Sequence, residues 1–507
     1  MGLSRYAELR DELLRQTYPS VFAPAVLRDA GHNYVPIAIS ERLVQCIWYD
    51  QRLQPAPLQT ADGRPVEIVF PGWWNLEAGP DFRNATVRLD GITTLTGDVE
   101  IHLRADDWFR HGHDGDPRYN NVILHVVLWG DANDRPTTTR AGDTIRQLVV
   151  QHQLAAPLET LSDEIELDSY PYGAGKHGRD CAHVVTSLSP ATIQSLLDAA
   201  GDERFAVKTR RFARWIHRTG AAQACYEGWM EALGFKANKT PFRTLAQRLP
   251  LTELLANRAD MGALLFGVAN LLPTARSAAR DAAGGLYLKR LWRGWWKRRP
   301  EFLERVLPPD FWKQTGIRPA NHPQRRIGAA VALLKKHPDL LATMTGAVES
   351  GGDPLKVLLR LRDEFWQYHY TLSSRPQRDA IELIGENRAQ EIVANAVLPC
   401  IAAVAEINDE RDLAAKAKAC YDALPAAPSN SVLRLVGQQL FGHSITAAAD
   451  IKTARRQHGL LQIFQDFCLN DKSACAQCHF PELARRWTKR ATKPPAAAQT
   501  TTLVTVS

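Results

Sequence analysis

Two carboxylates and a run of imidazoles crowd one short region of this chain. The stretch GDVEIHLRADDWFRHGHDGD, residues 97–116, sets Asp98, Glu100 and His102 at every second position and follows them with His111, His113 and Asp116. On a β-strand that alternation places Asp98, Glu100 and His102 on one face and Val99, Ile101 and Leu103 on the other. Asp81 precedes Glu100 with 18 residues between them, a spacing that lets the two arms of a hairpin bring both carboxylates together. Paired carboxylates suit a hard divalent cation, Mg²⁺ or Mn²⁺, which takes oxygen ligands and keeps waters in its shell. Such an ion acidifies a bound water and neutralises charge on a phosphoryl oxygen. Glu41, at the start of an upstream helix, supplies a further carboxylate, and His102 is placed to orient the water.

The same histidines permit a second chemistry. His102, His111, His113 and His125, with Asp116, form a nitrogen-rich set that fits Zn²⁺ or another transition metal, although no helical HExxH accompanies them. Asp107 is placed to cap a short helix running from Trp108 to His111. Against both readings stands a plain structural one, in which the strand has one face in water and the other on a helix.

The elements that must position these residues are legible in outline. ERLVQCIWYDQRL, residues 41–53, has the apolar spacing of an amphipathic helix, with Ser40 as its N-cap. VEIVF (66–70), ATVRLDG (85–91), LTGDVEIHL (95–103) and VILHVVLWG (122–130) read as strands separated by Gly, Asp, Pro and Asn turn signals, and Leu148–Val150 as one more. From about residue 190 the texture becomes helical, without a repeat period. The expected organisation is an α/β or α+β domain over residues 1–185, a larger all-α domain over 186–485 and a disordered tail over 486–507.

Pro80-Asp81, then Glu100-Ile101-His102, with Glu41 upstream, resembles the PD-(D/E)xK signature of restriction-endonuclease-like phosphodiesterases. The resemblance implies that fold for the N-terminal domain, with the Asp and Glu holding the metal; the Lys that orients water in that superfamily is replaced here by His102. A wider resemblance, carried by GPDFRNA, GDVEIHLRADDWFRHGHDGDPRY, NVILHVV, GFKAN, RTLAQRLP and ALLFGVANLLP, spans nearly the whole chain. It is to an uncharacterised bacterial family without an established reaction, so it implies organisation rather than chemistry.

The net charge of +7 in 507 residues is mild, yet Arg and Lys concentrate between residues 204 and 326. Arg204, Lys208, Arg211 and Arg214 recur every three or four residues, and Arg293 and Arg298 lie among Trp292, Trp295 and Trp296. Cations neutralise phosphates and exposed aromatic rings stack bases, so DNA or RNA is the expected partner; the plain alternative makes the tryptophans core and the cations their solvated flank. Cys468, Cys475 and Cys478, with Cys181 as the fourth, have the makings of a structural zinc or iron–sulfur site, while Cys46, Cys225, Cys400 and Cys420 fall on apolar helix faces. MGLSRYAELRDELLRQ is charged rather than signal-like and no run of about 18 apolar residues stands out, so the expectation is a cytoplasmic protein with no membrane span. These features together describe a metal-dependent nuclease, with a catalytically silent nucleic-acid-binding scaffold or a zinc hydrolase as alternatives.

Overall fold

The computed structural model describes residues 4–17, 39–54, 57–76, 78–130, 136–165, 167, 170, 179–273, 279–308, 311–428, 431–441, 451–469 and 478–490. The chain divides into two compact units, one comprising Met1–Ala200, Asn430–Ile451 and His458–Ser507, the other Gly201–Ser429 and Lys452–Gln457. Late segments therefore group with the N-terminal unit instead of ending the helical one. The reason is an apolar cluster in which Tyr6, Leu9 and Leu13 of helix α1 (Arg5–Thr17) pack with Phe464, Phe467, Leu483 and Trp487. Polar contacts pin the same meeting: Arg5 Nη2 donates to the Trp487 carbonyl at 2.6 Å and Tyr6 Oη to Asp466 Oδ2 at 2.9 Å. The expected tail beyond residue 490 lies outside the described residues.

Helix α2 (Glu41–Tyr49) starts where Ser40 Oγ accepts from Leu43 N, as its sequence implies, and buries Leu43, Val44, Cys46, Ile47 and Trp48. A mixed, curled sheet follows. Its strands are β1 (Leu58–Gln59), β2 (Pro65–Phe70), β3 (Trp73–Trp74), β4 (Phe82–Leu89), β5 (Thr93–Arg104), β6 (Val122–Trp129), β7 (Thr137–Thr138) and β8 (Thr144–Val149). They run in the order β1-β2-β4-β5-β6-β8-β7, with β3 against β4. β2, β4 and β5 form an antiparallel meander, whereas β5, β6 and β8 are mutually parallel. Asp90 and Gly91, both at positive φ (53° and 70°), make the tight β4–β5 reversal that a DG pair favours.

Strand β5 is central, and residues 97–103 are buried on both faces. Val99, Ile101 and Leu103 join the core that also holds α2, while the opposite face is covered by a small cluster of Trp108, Tyr119, Val122 and Ile145. The half-exposed strand of the plain reading is thereby replaced by one that carries polar side chains into the interior.

The second unit is helical around one core containing Trp215, Trp229, Trp295, Trp312 and Trp366. Cys225 and Cys400 are disulfide-bonded within it, Cα atoms 6.0 Å apart, so these two are more than apolar fill. Glu386–Ile407 has the length and apolarity to cross a membrane, which the sequence reading did not single out, yet 72% of its most apolar stretch is buried in that core.

Candidate metal centre

Three of the sequence's histidines converge. One ring nitrogen each from His102, His111 and His113 falls within 4.8 Å of the others, a grouping that could hold a metal ion. His102 comes from β5. His111 and His113 come from the turn after helix α3 (Asp107–Arg110), where Gly112 takes φ +72° and swings the chain so that both rings face His102. Asp107 does not cap α3 as expected, because it is the helix's first residue. Its Oδ2 instead accepts from Arg104 N at 2.9 Å and Oδ1 pairs with Arg110 at 2.8 Å.

Glu100 lies against two of the three histidines. Its Oε1 lies 3.4 Å from His113 Nε2 and 3.6 Å from His102 Nε2, and His102 Nε2 lies 3.1 Å from His111 Nδ1. In a tetrahedral zinc site with bonds of about 2.0–2.1 Å, neighbouring ligand atoms stand about 3.3–3.4 Å apart. These three edges fall around that value, while the three nitrogens as a set are only within 4.8 Å of one another. His113 Nε2 is buried and makes no hydrogen bond.

A second layer orients the ligands. His102 Nδ1 and His125 Nε2 are 2.8 Å apart, and His125 Nδ1 lies 3.4 Å from Thr137 Oγ1, which also accepts from Gln147 Nε2 at 3.0 Å. Assigning Nδ1–H of His102 as donor to His125, and Nδ1–H of His125 as donor to Thr137, leaves His102 Nε2 bare for a ligand. Glu100 Oε2 accepts from Asp81 N at 2.9 Å. The Asp81 carboxylate itself accepts from Gln45 Nε2 and from Ile101 N, both at 3.1 Å. Asp81 and Glu100 are therefore brought side by side, with the Asp81 carboxylate turned to α2 and the β5 backbone. Glu41 Oε1 reaches 3.8 Å from His102 Nε2.

Electrostatics follow from burial. The Glu100 carboxyl is held well above its usual range, first by desolvation and then by Glu41. His102 is driven well below an ordinary imidazole, first by burial and then by His125, His111, His113 and Arg110. His113 and His125 are each pushed down to about 3, chiefly by burial. Neutral imidazoles are the form that binds a metal. His111 is exposed, so the group opens to solvent on that side.

Other sequence candidates have different employment. Asp98 Oδ1 accepts from Asn84 N at 3.1 Å, satisfying a bulge where Asn84 adopts φ +55°. Asp116 caps a short turn and pairs with Arg118. Arg211 makes two bonds to Glu231, at 2.8 and 2.6 Å, and lies over Trp215, while Lys208 donates to Asn395. Arg204 and Arg214 are half-buried on the same helix. Arg298 faces Asp260 and Glu301, whereas Arg293 is exposed. Cys181, Cys468 and Cys478 share one apolar cluster, and Cys475 lies outside the described residues. Sequence reasoning missed Gln45, Thr137 and Gln147, which carry no motif, and Tyr119, whose ring stacks on His113 at 3.8 Å.

The first unit is thus a mixed-sheet α/β structure that carries a histidine–carboxylate group, buried except at His111. The chain belongs to the family described as "Protein of unknown function (DUF2851)", which it matches over residues 41–430. No match was found among curated proteins or among solved structures.

Proposed function

We propose that the protein is a divalent-metal-dependent phosphodiesterase whose ion is held by His102 Nε2, His111 Nδ1, His113 Nε2 and Glu100. The observation that carries this reading is the shared shell: three nitrogens within 4.8 Å of one another, with Glu100 Oε1 at 3.4 and 3.6 Å from two of them. Three imidazoles favour a borderline ion, Zn²⁺ or Mn²⁺, over Mg²⁺. Such an ion, when bound, lowers the pKa of a water and withdraws charge from a phosphoryl oxygen. Around it the chain's own groups divide the work. His125 and Thr137 fix the tautomer of His102, and Asp81 N–H steadies Glu100. Glu41, partly exposed at the start of α2, is placed to take the proton of an incoming water.

The choice of a phosphodiester as substrate class is supported by the sequence resemblance of Pro80-Asp81 and Glu100-Ile101-His102 to the PD-(D/E)xK signature. Asp81 immediately precedes β4, Glu100-x-His102 lies on the paired β5, and Glu41 comes from the preceding helix. The Asp81–Glu100 adjacency supports a second version, in which Mg²⁺ sits on the carboxylates and His102 orients water. Metal content and hydrolysis of a phosphodiester, in the protein loaded separately with Zn²⁺, Mn²⁺ or Mg²⁺, test both. One borderline ion per chain and cleavage lost in His113→Ala support the histidine shell. Cleavage with Mg²⁺ alone that survives His113→Ala but not Asp81→Asn supports the second. Absence of any bound divalent ion, or cleavage indifferent to Glu100→Ala, ends the reading.

A further inference from the structure

Helix Ala282–Phe302, in the second unit, is anchored by one face and charged on the other. Tyr287, Leu288, Leu291 and Trp295 are buried. The anchoring is close: a Cβ on Gly267 would lie 2.1 Å from the Trp295 ring. Positions 286, 289, 293 and 296 follow one another by three or four residues and so form a single outward stripe about 15 Å long. They are Leu286, Lys289, Arg293 and Trp296, all exposed, with Trp296 54% exposed. Trp296 stacks on Trp292, rings 5.6 Å apart and 25° from parallel, and Arg299 lies 5.0 Å from its ring centroid. Arg290 and Lys297 flank the stripe, exposed. Among the described residues Lys289, Arg290, Arg293, Lys297 and Arg299 form no ion pair, in contrast to Arg298, which faces Asp260 and Glu301.

A large indole held open by a neighbouring indole needs a reason, because exposing it forgoes the burial that Trp215, Trp229, Trp295, Trp312 and Trp366 obtain. Uncompensated cations spaced along the same face supply one. We propose that this face binds single-stranded nucleic acid, with the cations on successive phosphates and an unpaired base stacked on Trp296 in place of the Arg299 guanidinium, which swings out to a phosphate. Charge complementarity selects a polyanion. The indole selects one with accessible planar bases, which a duplex and an acidic peptide both lack. An interfacial membrane helix would segregate its apolar residues from its cations onto separate faces, whereas here Leu286 and Trp296 flank Lys289 and Arg293 on one stripe. The surface is independent of the histidine group, and it deepens the phosphodiesterase reading by naming the polymer.

The test uses the full chain in chelator, with fluorescence anisotropy on a labelled oligo-dT, the same strand annealed, and vesicles containing phosphatidylserine. The expected result is preference for the single strand, quenching of tryptophan emission, and about 5- to 150-fold weaker binding in Trp296→Ala. Lys289→Glu with Arg293→Glu should weaken binding and flatten the log K against log salt slope by about 0.7 for each phosphate left without its cation. Equal affinity for single strand and duplex with no effect of Trp296→Ala overturns the proposal, as does binding to the vesicles alone. Circular dichroism of the variants separates a defect in binding from a defect in folding. His113→Ala should bind the oligonucleotide like wild type. Binding without cleavage thus removes only the metal reading, and cleavage of a small phosphodiester without oligonucleotide binding removes only this surface.

Discussion

Replacing Glu100 by Gln in the metal-free protein should make it more stable, and increasingly so as pH rises. The carboxyl is buried beside Glu41 and its pKa is raised well above the usual 4.5. In the unfolded chain it ionises near that ordinary value. Between the two pKa values the unfolded state releases a proton that the folded state retains. A raised folded pKa therefore contributes stability that is complete below about pH 4.5 and is lost progressively as pH rises toward the folded value. The loss is about 1.4 kcal/mol for each pH unit in that window, hence about 2.7 kcal/mol two units above its start. Gln does not titrate, and its amide oxygen can still accept from Asp81 N, the bond Glu100 makes at 2.9 Å. With two units in the chain, a whole-protein melt mixes transitions. Hydrogen exchange of peptides covering β5 and β6, in chelator at about pH 5, 6 and 7, reads the local opening free energy directly. The difference between variant and wild type should grow by about 1.4 kcal/mol per pH unit. Added Zn²⁺ should then protect wild type, by about 2.7 kcal/mol at a hundred times Kd, and the variant far less. A variant that is less stable at every pH, or a difference that does not change with pH, refutes the claim that Glu100 is a strained buried acid awaiting a cation.

The imidazoles should act in the opposite direction. His113 and His125 sit at about 3 against an ordinary 6.5, so the unfolded state binds more protons between those values. Stability of the metal-free Glu100→Gln protein should therefore fall as pH drops below about 6.5, by about 1.4 kcal/mol per unit for each imidazole, and exchange of β6 amides at acid pH measures it. His125→Leu removes the acceptor of His102 Nδ1–H and should weaken ion binding about 10- to 100-fold in calorimetry, with His125→Gln recovering part; equal affinity in all three proteins excludes a positioning role. Gly97→Ala would bring a Cβ within 2.4 Å of Ile123 Cγ2 and 2.7 Å of Asn121 O, so β5 must shift against β6. A loss of about 1–3 kcal/mol and reduced metal affinity should follow, read by the same exchange and calorimetry.

By itself the sequence determined the five longer strands, the Ser40-capped helix and the candidates of the site, but not the two-residue strands β1, β3 and β7. Alternation on 98–102 puts Glu100 and His102 on one face whatever surrounds the strand, because the period of a β-strand is a local property. The Ser40 cap and the Asp90–Gly91 reversal are likewise local chemistry. Only the tertiary structure decided which candidates share a site. Asp98, on the same face as Glu100, serves the backbone of a bulge instead, since register against β4 sets its neighbour. His125 falls beside Glu100 because β6 runs parallel to β5 in that register, a pairing that no short window of sequence contains. The same holds for the cations: Arg211 and Arg293 look alike as letters, yet one is paired with Glu231 and the other faces water. Hydrogen bonds and desolvation depend on what lies within a few ångströms, and for these residues the nearest groups are distant along the chain.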